Sequence, residues 1–141
     1  MDMDTLMKAL ENDDHAHLLN LTTTKIKKMK LEILKELGLT RAELLEMMEK
    51  LKTYRYVDGM NELRNGAFLR WIPIKDDGKG LELKKGGLFC NFRVCDEGTF
   101  VVCKSYYHKY FQFKMDECLL FQKLSDQEQV LLCAMDYLHV K

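Results

Sequence analysis

The sequence predicts an α+β protein: an N-terminal helical hairpin, then a small antiparallel β-barrel or sheet of SH3-like type, closed by a C-terminal helix. Three observations lead there. Strong helix formers with apolar residues at helical spacing fill the first part of the chain. Twelve of the fourteen aromatic residues and six of the eight glycines lie beyond residue 64, the composition of short strands and tight turns. Two capping boxes stand where helices should begin. The change of composition near Gly59 to Gly66 divides the chain into a helical segment, 1–58, and a β segment with its helix, 59–141. No Pro/Ser-rich linker marks that boundary, so the halves are expected to pack together.

The elements follow in order. Leu6, Met7, Leu10, Ala16 and Leu18, behind Asp4 as a cap, give a short first helix. Thr22 to Thr24 start a second, in which Ile26, Met29, Ile33, Leu34 and Leu37 share one face and Gly38 is the stop. Thr40-Arg41-Ala42-Glu43 is a capping box, with Leu39 and Leu44 as its hydrophobic staple. Leu44, Met47, Met48 and Leu51 line the third helix, which is expected to run to about Tyr54. Phe68 to Ile72 reads as a strand ended by Pro73, and Asp76-Asp77-Gly78 as a turn. Gly86-Gly87 introduces Leu88 to Cys95, whose Leu88, Cys90, Phe92 and Val94 alternate with Phe89, Asn91, Arg93 and Cys95. Asp96-Glu97-Gly98 turns that run into Thr99 to Lys104, a hairpin. Tyr110 to Phe113 and Leu119 to Gln122 are two further strands, and Ser125-Asp126-Gln127-Glu128 is a second capping box before the last helix.

Composition excludes some classes of function. Lys plus Arg equals Asp plus Glu at 22 each, so no global field steers the protein to a polyanion. Charge separates locally: residues 1–20 carry five acids against Lys8, whereas Lys25, Lys27, Lys28 and Lys30 form a basic run. No apolar stretch approaches the ~20 residues of a membrane span, and the acidic start is unlike a secretory signal. An intracellular protein is expected, with its five cysteines as free thiols.

Catalytic constellations find little support. Ser125 is a helix cap, and Ser105, near His108, lacks a glycine-flanked elbow. Cys103 with His108 is the one candidate thiol–imidazole pair, but Cys103 ends an apolar strand and reads better as a buried side chain. His15 with His17, and Cys90, Cys95 and Cys103 with His108, do not match zinc spacing, so no metal and no cofactor is expected. Gly78-Lys79-Gly80 and Lys84-Lys85-Gly86-Gly87 lie between strands and read as turns, not phosphate loops. Asp76/Asp77, Asp96/Glu97 and Asp116/Glu117 sit in turns as well. No enzyme is expected, and no small-molecule substrate is identified.

Binding is the class that remains. Leu31 to Leu51 has helix-turn-helix spacing, yet its second helix presents Glu43, Glu46 and Glu49 where DNA phosphates would lie. Arg70, Trp71, Arg93, Lys104, Tyr106, Tyr107, His108, Lys109 and Tyr110 interleave cations with rings, as small barrels do when they bind single strands. Nine methionines, Met47-Met48 among them, suit adaptable protein contacts equally well.

Tyr56-Val57-Asp58, Asn61-Glu62-Leu63, Gly66 to Ile72, Gly86-Gly87 and Phe121 to Glu128 together resemble uncharacterised small proteins of nucleocytoplasmic large DNA viruses. The resemblance covers about residues 56–138. It implies a viral factory or virion protein in host cytoplasm, and it transfers no catalytic residue because that group carries no settled enzymatic activity. The leading expectation is therefore a non-enzymatic interaction module, a viral structural or assembly component that meets a protein partner or its own copies through Arg70, Trp71, Tyr106, Tyr107 and Lys109. The alternative is a nucleic-acid-binding small barrel using Arg93 and Lys104, with Lys25, Lys27, Lys28 and Lys30 as further phosphate contacts.

Overall fold

The structure, a computed structural model, describes residues 3, 4, 7, 21–74 and 81–140. The expected first helix therefore lies outside the described residues except for Met3, Asp4 and Met7, which are helical. The Asp76-Asp77-Gly78 turn, Gly78-Lys79-Gly80, His15 and His17 lie outside them too. The described chain is α+β, with three helices, α1 (Thr23–Lys35), α2 (Arg41–Lys50) and α3 (Asp126–Val140), and one antiparallel sheet of six strands. The strands are β1 (Tyr54–Val57), β2 (Phe68–Pro73), β3 (Gly87–Cys95), β4 (Gly98–Lys104), β5 (Tyr110–Lys114) and β6 (Cys118–Lys123). Their order is β1-β6-β2-β3-β4-β5. Strands β1 and β5 are thus free edges, so of the two forms expected, SH3-like barrel or sheet, the strands form an open sheet and no closed barrel.

Two compact units emerge: a helical one comprising the described residues up to Arg55 together with Leu124 onward, and a β unit from Tyr56 to Lys123. The C-terminal helix thus belongs to the helical unit, although its nearest neighbour in sequence is β6.

In the helical unit the caps form as the sequence dictates. The Thr22 hydroxyl accepts from Lys25 N–H at 3.1 Å. Thr40 and Glu43 satisfy each other's backbone N–H groups at 3.2 and 3.0 Å, and Ser125 and Glu128 do the same at 3.1 and 2.9 Å. These bonds answer amides that a helix start leaves without intrahelical partners. Accepting from the Thr40 backbone and hydroxyl holds the Glu43 carboxyl below its usual range. Gly38 ends the α1 segment with a φ of +69°, a conformation that favours glycine. The α1 and α3 helices are tied where Asp136 accepts from Thr23 N–H at 2.8 Å and from its hydroxyl at 2.6 Å. Leu131 is fully buried against Leu21 and Met135.

Helix α2 stops at Lys50, short of the expected Tyr54, because Tyr54-Arg55-Tyr56-Val57 follows strand alternation, with Arg55 and Val57 buried. Rings and β-branched side chains on a two-residue period favour a strand over another helical turn.

The larger apolar cluster of the β unit lies on one face of the sheet, while on the opposite face Ile72 of β2 and Phe121 of β6, the latter paired with Arg70, are fully buried as well. Leu69 and Trp71 of β2, Phe89 of β3, Val101 and Cys103 of β4, Leu120 of β6 and Val57 form its buried core. Phe92, Phe111, Phe113 and Cys118 pack against them. A bulge between Phe89 and Asn91 breaks the alternation expected along β3. The extra residue, Cys90, reverses which side chains face inward, so Phe89 and Phe92 both reach the core with centroids 4.9 Å apart. At the end of the core the buried Gln122 amide accepts from Arg64 N–H at 2.8 Å and donates to the Glu62 carbonyl at 3.0 Å, pinning that loop.

Candidate functional site

Strands β2 to β6 contain no Asp or Glu and five cations: Arg70, Arg93, Lys104, Lys114 and Lys123. Each cation neighbours a residue of the core face: Leu69, Phe92, Cys103, Phe113 and Gln122 respectively. Because successive strand residues point to opposite faces, all five lie on the sheet's other face. The carboxylates of the described β unit are confined to the turns and loops between strands. A chain of zero formal net charge thereby carries a face whose strand charges are all positive, with Lys114 paired to Glu117 of the adjoining turn at 3.8 Å.

Rings interleave with those charges. The register aligns Phe68, Leu88, Lys104 and Tyr110 in a row across β2 to β5. Lys104 Nζ sits 5.9 Å from the Tyr110 ring centroid, and Lys123 Nζ of β6 sits 5.9 Å from that of Phe68. A second row pairs Arg93, Phe100 and Lys114, about 13 Å away along β4. There the Arg93 guanidinium lies 4.7 Å from the Phe100 centroid and donates through Nε to Gln112 at 3.0 Å. Such a stacked, hydrogen-bonded guanidinium is held flat and keeps a free side for another planar group.

Between the rows' upper end and the β4–β5 turn lies a cleft of about 470 Å³, lined by Phe68, Leu88, Lys104, Ser105, Tyr106 and His108. The turn that walls it is tightly built. Ser105 N–H donates to the Lys109 carbonyl at 2.8 Å, His108 N–H to the Ser105 carbonyl at 3.0 Å, and Lys109 N–H to the Ser105 hydroxyl at 3.2 Å. His108 takes a φ of +63° to close it. Tyr106 and Tyr107 project from this turn, 87% and 81% exposed, in an edge-to-face pair.

The structure thus brings Arg93, Lys104, Tyr106 and Tyr110 to one face with Phe68, Phe100, Lys114 and Lys123, and places Tyr107, exposed, in the turn beside them. Lys109 is exposed in the same turn. Arg70 lies on this face too, half-buried, with Nε donating to the Lys84 carbonyl at 3.0 Å. Trp71 does not: the expected surface anchor is a core residue, stacked on Phe113 at 4.2 Å and tilted against Phe111 at 5.3 Å. Alternation forces this, since Arg70 and Trp71 are neighbours on a strand and face opposite ways. Phe68, Phe100, Lys114 and Lys123 were missed as site residues; the signal was the restriction of strand charges to cations at one parity.

Of the basic run, Lys25, Lys27 and Lys28 are exposed on α1, with Lys28 4.0 Å from Glu32. Lys30 is buried, so it is not the phosphate contact that the sequence suggested. It follows Ile26 and precedes Leu34 by four residues each, on the same inward face. Its ammonium donates to the Leu51 carbonyl at 2.7 Å, and burial, then Lys27, lower its pKa from 10.5 to about 8. A folded pKa below the unfolded one means that the charged form opposes folding: the penalty is full below pH 8 and fades as pH rises toward 10.5. Lys30→Met should therefore stabilise the protein by about 1–3 kcal/mol at pH 7, with the gain shrinking above pH 8. Urea unfolding across pH 6–10 reads this out. The Leu51 carbonyl stays satisfied in that variant because it also accepts from Tyr54 N–H at 2.9 Å.

Burial keeps the Cys103 and Cys118 thiols protonated at neutral pH. Burial, then Cys90, pushes the Cys103 thiol up to about 12, and burial, then Glu117 and Asp116, pushes that of Cys118 to about 11. Cys103 faces the core while His108 is exposed, so the candidate thiol–imidazole pair does not assemble. Among the described residues no three His, Cys, Asp or Glu side chains gather to hold a metal ion, and no helix is long and apolar enough to cross a membrane. No protein-family model, curated protein or solved structure matches the chain.

Proposed function

We propose that the protein is a non-enzymatic module that binds single-stranded nucleic acid across the cationic face of its sheet. The observation that carries this reading is the segregation of Arg70, Arg93, Lys104, Lys114 and Lys123, interleaved with Phe68, Phe100 and Tyr110, on a face without a strand carboxylate. Cations follow a phosphate backbone and rings stack on unpaired bases, a combination that a duplex with its bases inside cannot use. Tyr106, Tyr107 and Lys109 extend the same surface. The assembly reading took Arg70, Trp71, Tyr106, Tyr107 and Lys109 as its contacts; the core position of the indole removes Trp71 from that set, and the segregated strand cations favour the nucleic-acid reading over it. The resemblance to proteins of large DNA viruses supports placing this binding in a viral factory or virion, which co-purification with virions tests.

Fluorescence anisotropy with labelled single-stranded and duplex oligonucleotides tests the function itself. Single strands should bind in preference to duplex, with log affinity falling against log salt at a slope of about −2 to −3, as expected for three or four phosphate contacts. Arg93→Ala should flatten that slope by about 0.7 and weaken all sequences alike. Binding that ignores salt, or a preference for duplex, overturns the reading.

A further inference from the structure

We infer that β5 is a dimer edge: a second copy of the chain pairs its own β5 antiparallel to it, Gln112 facing Gln112, and the two cationic faces become one. The dimer itself does not depend on the single-strand reading; its consequence for binding does, and the two are tested apart.

The backbone pattern leaves that edge open. Ser105 N–H donates to the Lys109 carbonyl, so the two form a hydrogen-bonded pair, and the pairs that follow alternate in kind. Phe111 opposite Cys103 and Phe113 opposite Val101 are then bonded to β4. Tyr110, Gln112 and Lys114, opposite Lys104, Val102 and Phe100, turn their N–H and C=O groups away from it. Strand β5 ends the sheet, and among the described residues nothing bonds to those outward backbone groups. Tyr110 and Gln112 are exposed. Such a row is a template for another strand.

The side chains select a second copy as that strand. With Gln112 facing Gln112, all three outward residues of each strand pair, and Tyr110 lies opposite the partner's Lys114. The row of Lys104 and Tyr110 then runs on into the partner's Lys114, Phe100 and Arg93, so that cations and rings alternate and no cation stands directly opposite another. Lys114 brings Glu117 with it, 3.8 Å away, which lessens the repulsion between the faces. On the other side of the sheet the half-buried Phe111 meets the partner's Phe113, an aromatic cross-strand pair made twice. Sliding the strands loses backbone bonds, and centring them on Lys114 sets two ammoniums together. The interface is short, five residues from each copy, and therefore weak, half-formed at about 10–100 µM.

Sedimentation velocity of the full chain over about 1–500 µM should show monomer passing to dimer, and the dimer should hold or strengthen as salt screens its cations. Hydrogen exchange at Tyr110, Gln112 and Lys114 should slow as concentration rises. Gln112→Pro removes an N–H that β4 does not use, so it should keep the circular dichroism spectrum and weaken the dimer at least about tenfold. Gln112→Lys, which leaves the backbone intact and sets two ammoniums face to face, should weaken it as well. A dimer that both variants retain, or a chain monomeric throughout, overturns the inference. So does a monomer whose β5 amides are slowed only by a glutamate-rich peptide, which would assign the edge to an acidic strand. Joined faces should bind a single strand of about 20 nucleotides cooperatively, and Gln112→Pro should remove the cooperativity. A dimer that binds no oligonucleotide at low salt keeps the β5 inference and overturns the single-strand reading.

Discussion

Trp71→Ala is expected to lower the unfolding free energy by about 3–5 kcal/mol. The residue is only 8% exposed and contacts two rings of β5, Phe113 at 4.2 Å and Phe111 at 5.3 Å, from its place on β2. Strands β2 and β5 are separated in the sheet by β3 and β4, so the indole spans the concave core and joins elements that share no backbone bonds. Deleting it removes the largest side chain of that core, and the facing rings can refill the space only by pulling the sheet's outer strands inward. Trp71→Phe keeps a ring against Phe113 and should lose well under half as much. Urea denaturation followed by circular dichroism measures both. An unchanged midpoint with lost partner binding would restore Trp71 as a surface contact and overturn the core assignment.

The same residue marks where the sequence was legible and where it was not. Local chemistry was readable: two capping boxes, the Gly38 stop, the β3–β4 hairpin and the strands β5 and β6 rest on contacts within a few residues. Each is found where its residues place it. What depends on partners far along the chain was not readable. Arg70-Trp71 was taken as one exposed pair, yet strand alternation allows only one of them outward, and which one depends on register with β6. The bulge at Cys90 similarly reversed the inward set of β3, because one unpaired residue leaves no mark on composition. β1 was hidden by its position immediately after a helix; it extends the sheet beyond β6, and the sheet is open because its end strands, β1 and β5, do not pair. The candidate site was half visible. Arg93, Lys104, Tyr106 and Tyr110 were picked out by type, but Phe68, Phe100, Lys114 and Lys123 joined them only when register aligned the rows. Lys30 shows the opposite error, a charge read as solvated although its spacing from Ile26 and Leu34 put it on the buried face.

Gly86→Ala is expected to cost about 3 kcal/mol or more, a penalty far greater than its one added carbon suggests. Two causes act together. Gly86 has a φ of +101°, where an L side chain is strained by about 1–3 kcal/mol. Its added Cβ also falls inside contact distance of the Leu69 carbonyl oxygen and near the Arg70 side chain. That oxygen cannot withdraw cheaply, because Leu69 is fully buried and held in register with Gln122 on one side and Gly87 on the other. Gly38 provides the control. It too has a positive φ, +69°, but a Cβ there meets nothing within 4 Å, so Gly38→Ala carries the backbone strain alone, about 1 kcal/mol. The difference between the two variants isolates the close approach of β2 to the chain entering β3. The same approach sets Phe68 opposite Leu88, the contact that starts the row leading to Lys104. If the rows form the binding face, partial rescue of Gly86→Ala at low temperature should restore the fold's ellipticity before it restores single-strand affinity, since secondary structure tolerates a shifted β2–β3 pair and rows aligned by register do not. Equal midpoints for Gly86→Ala and Gly38→Ala would show that β2 yields at this point, and the register on which the cleft is built would then have to be abandoned.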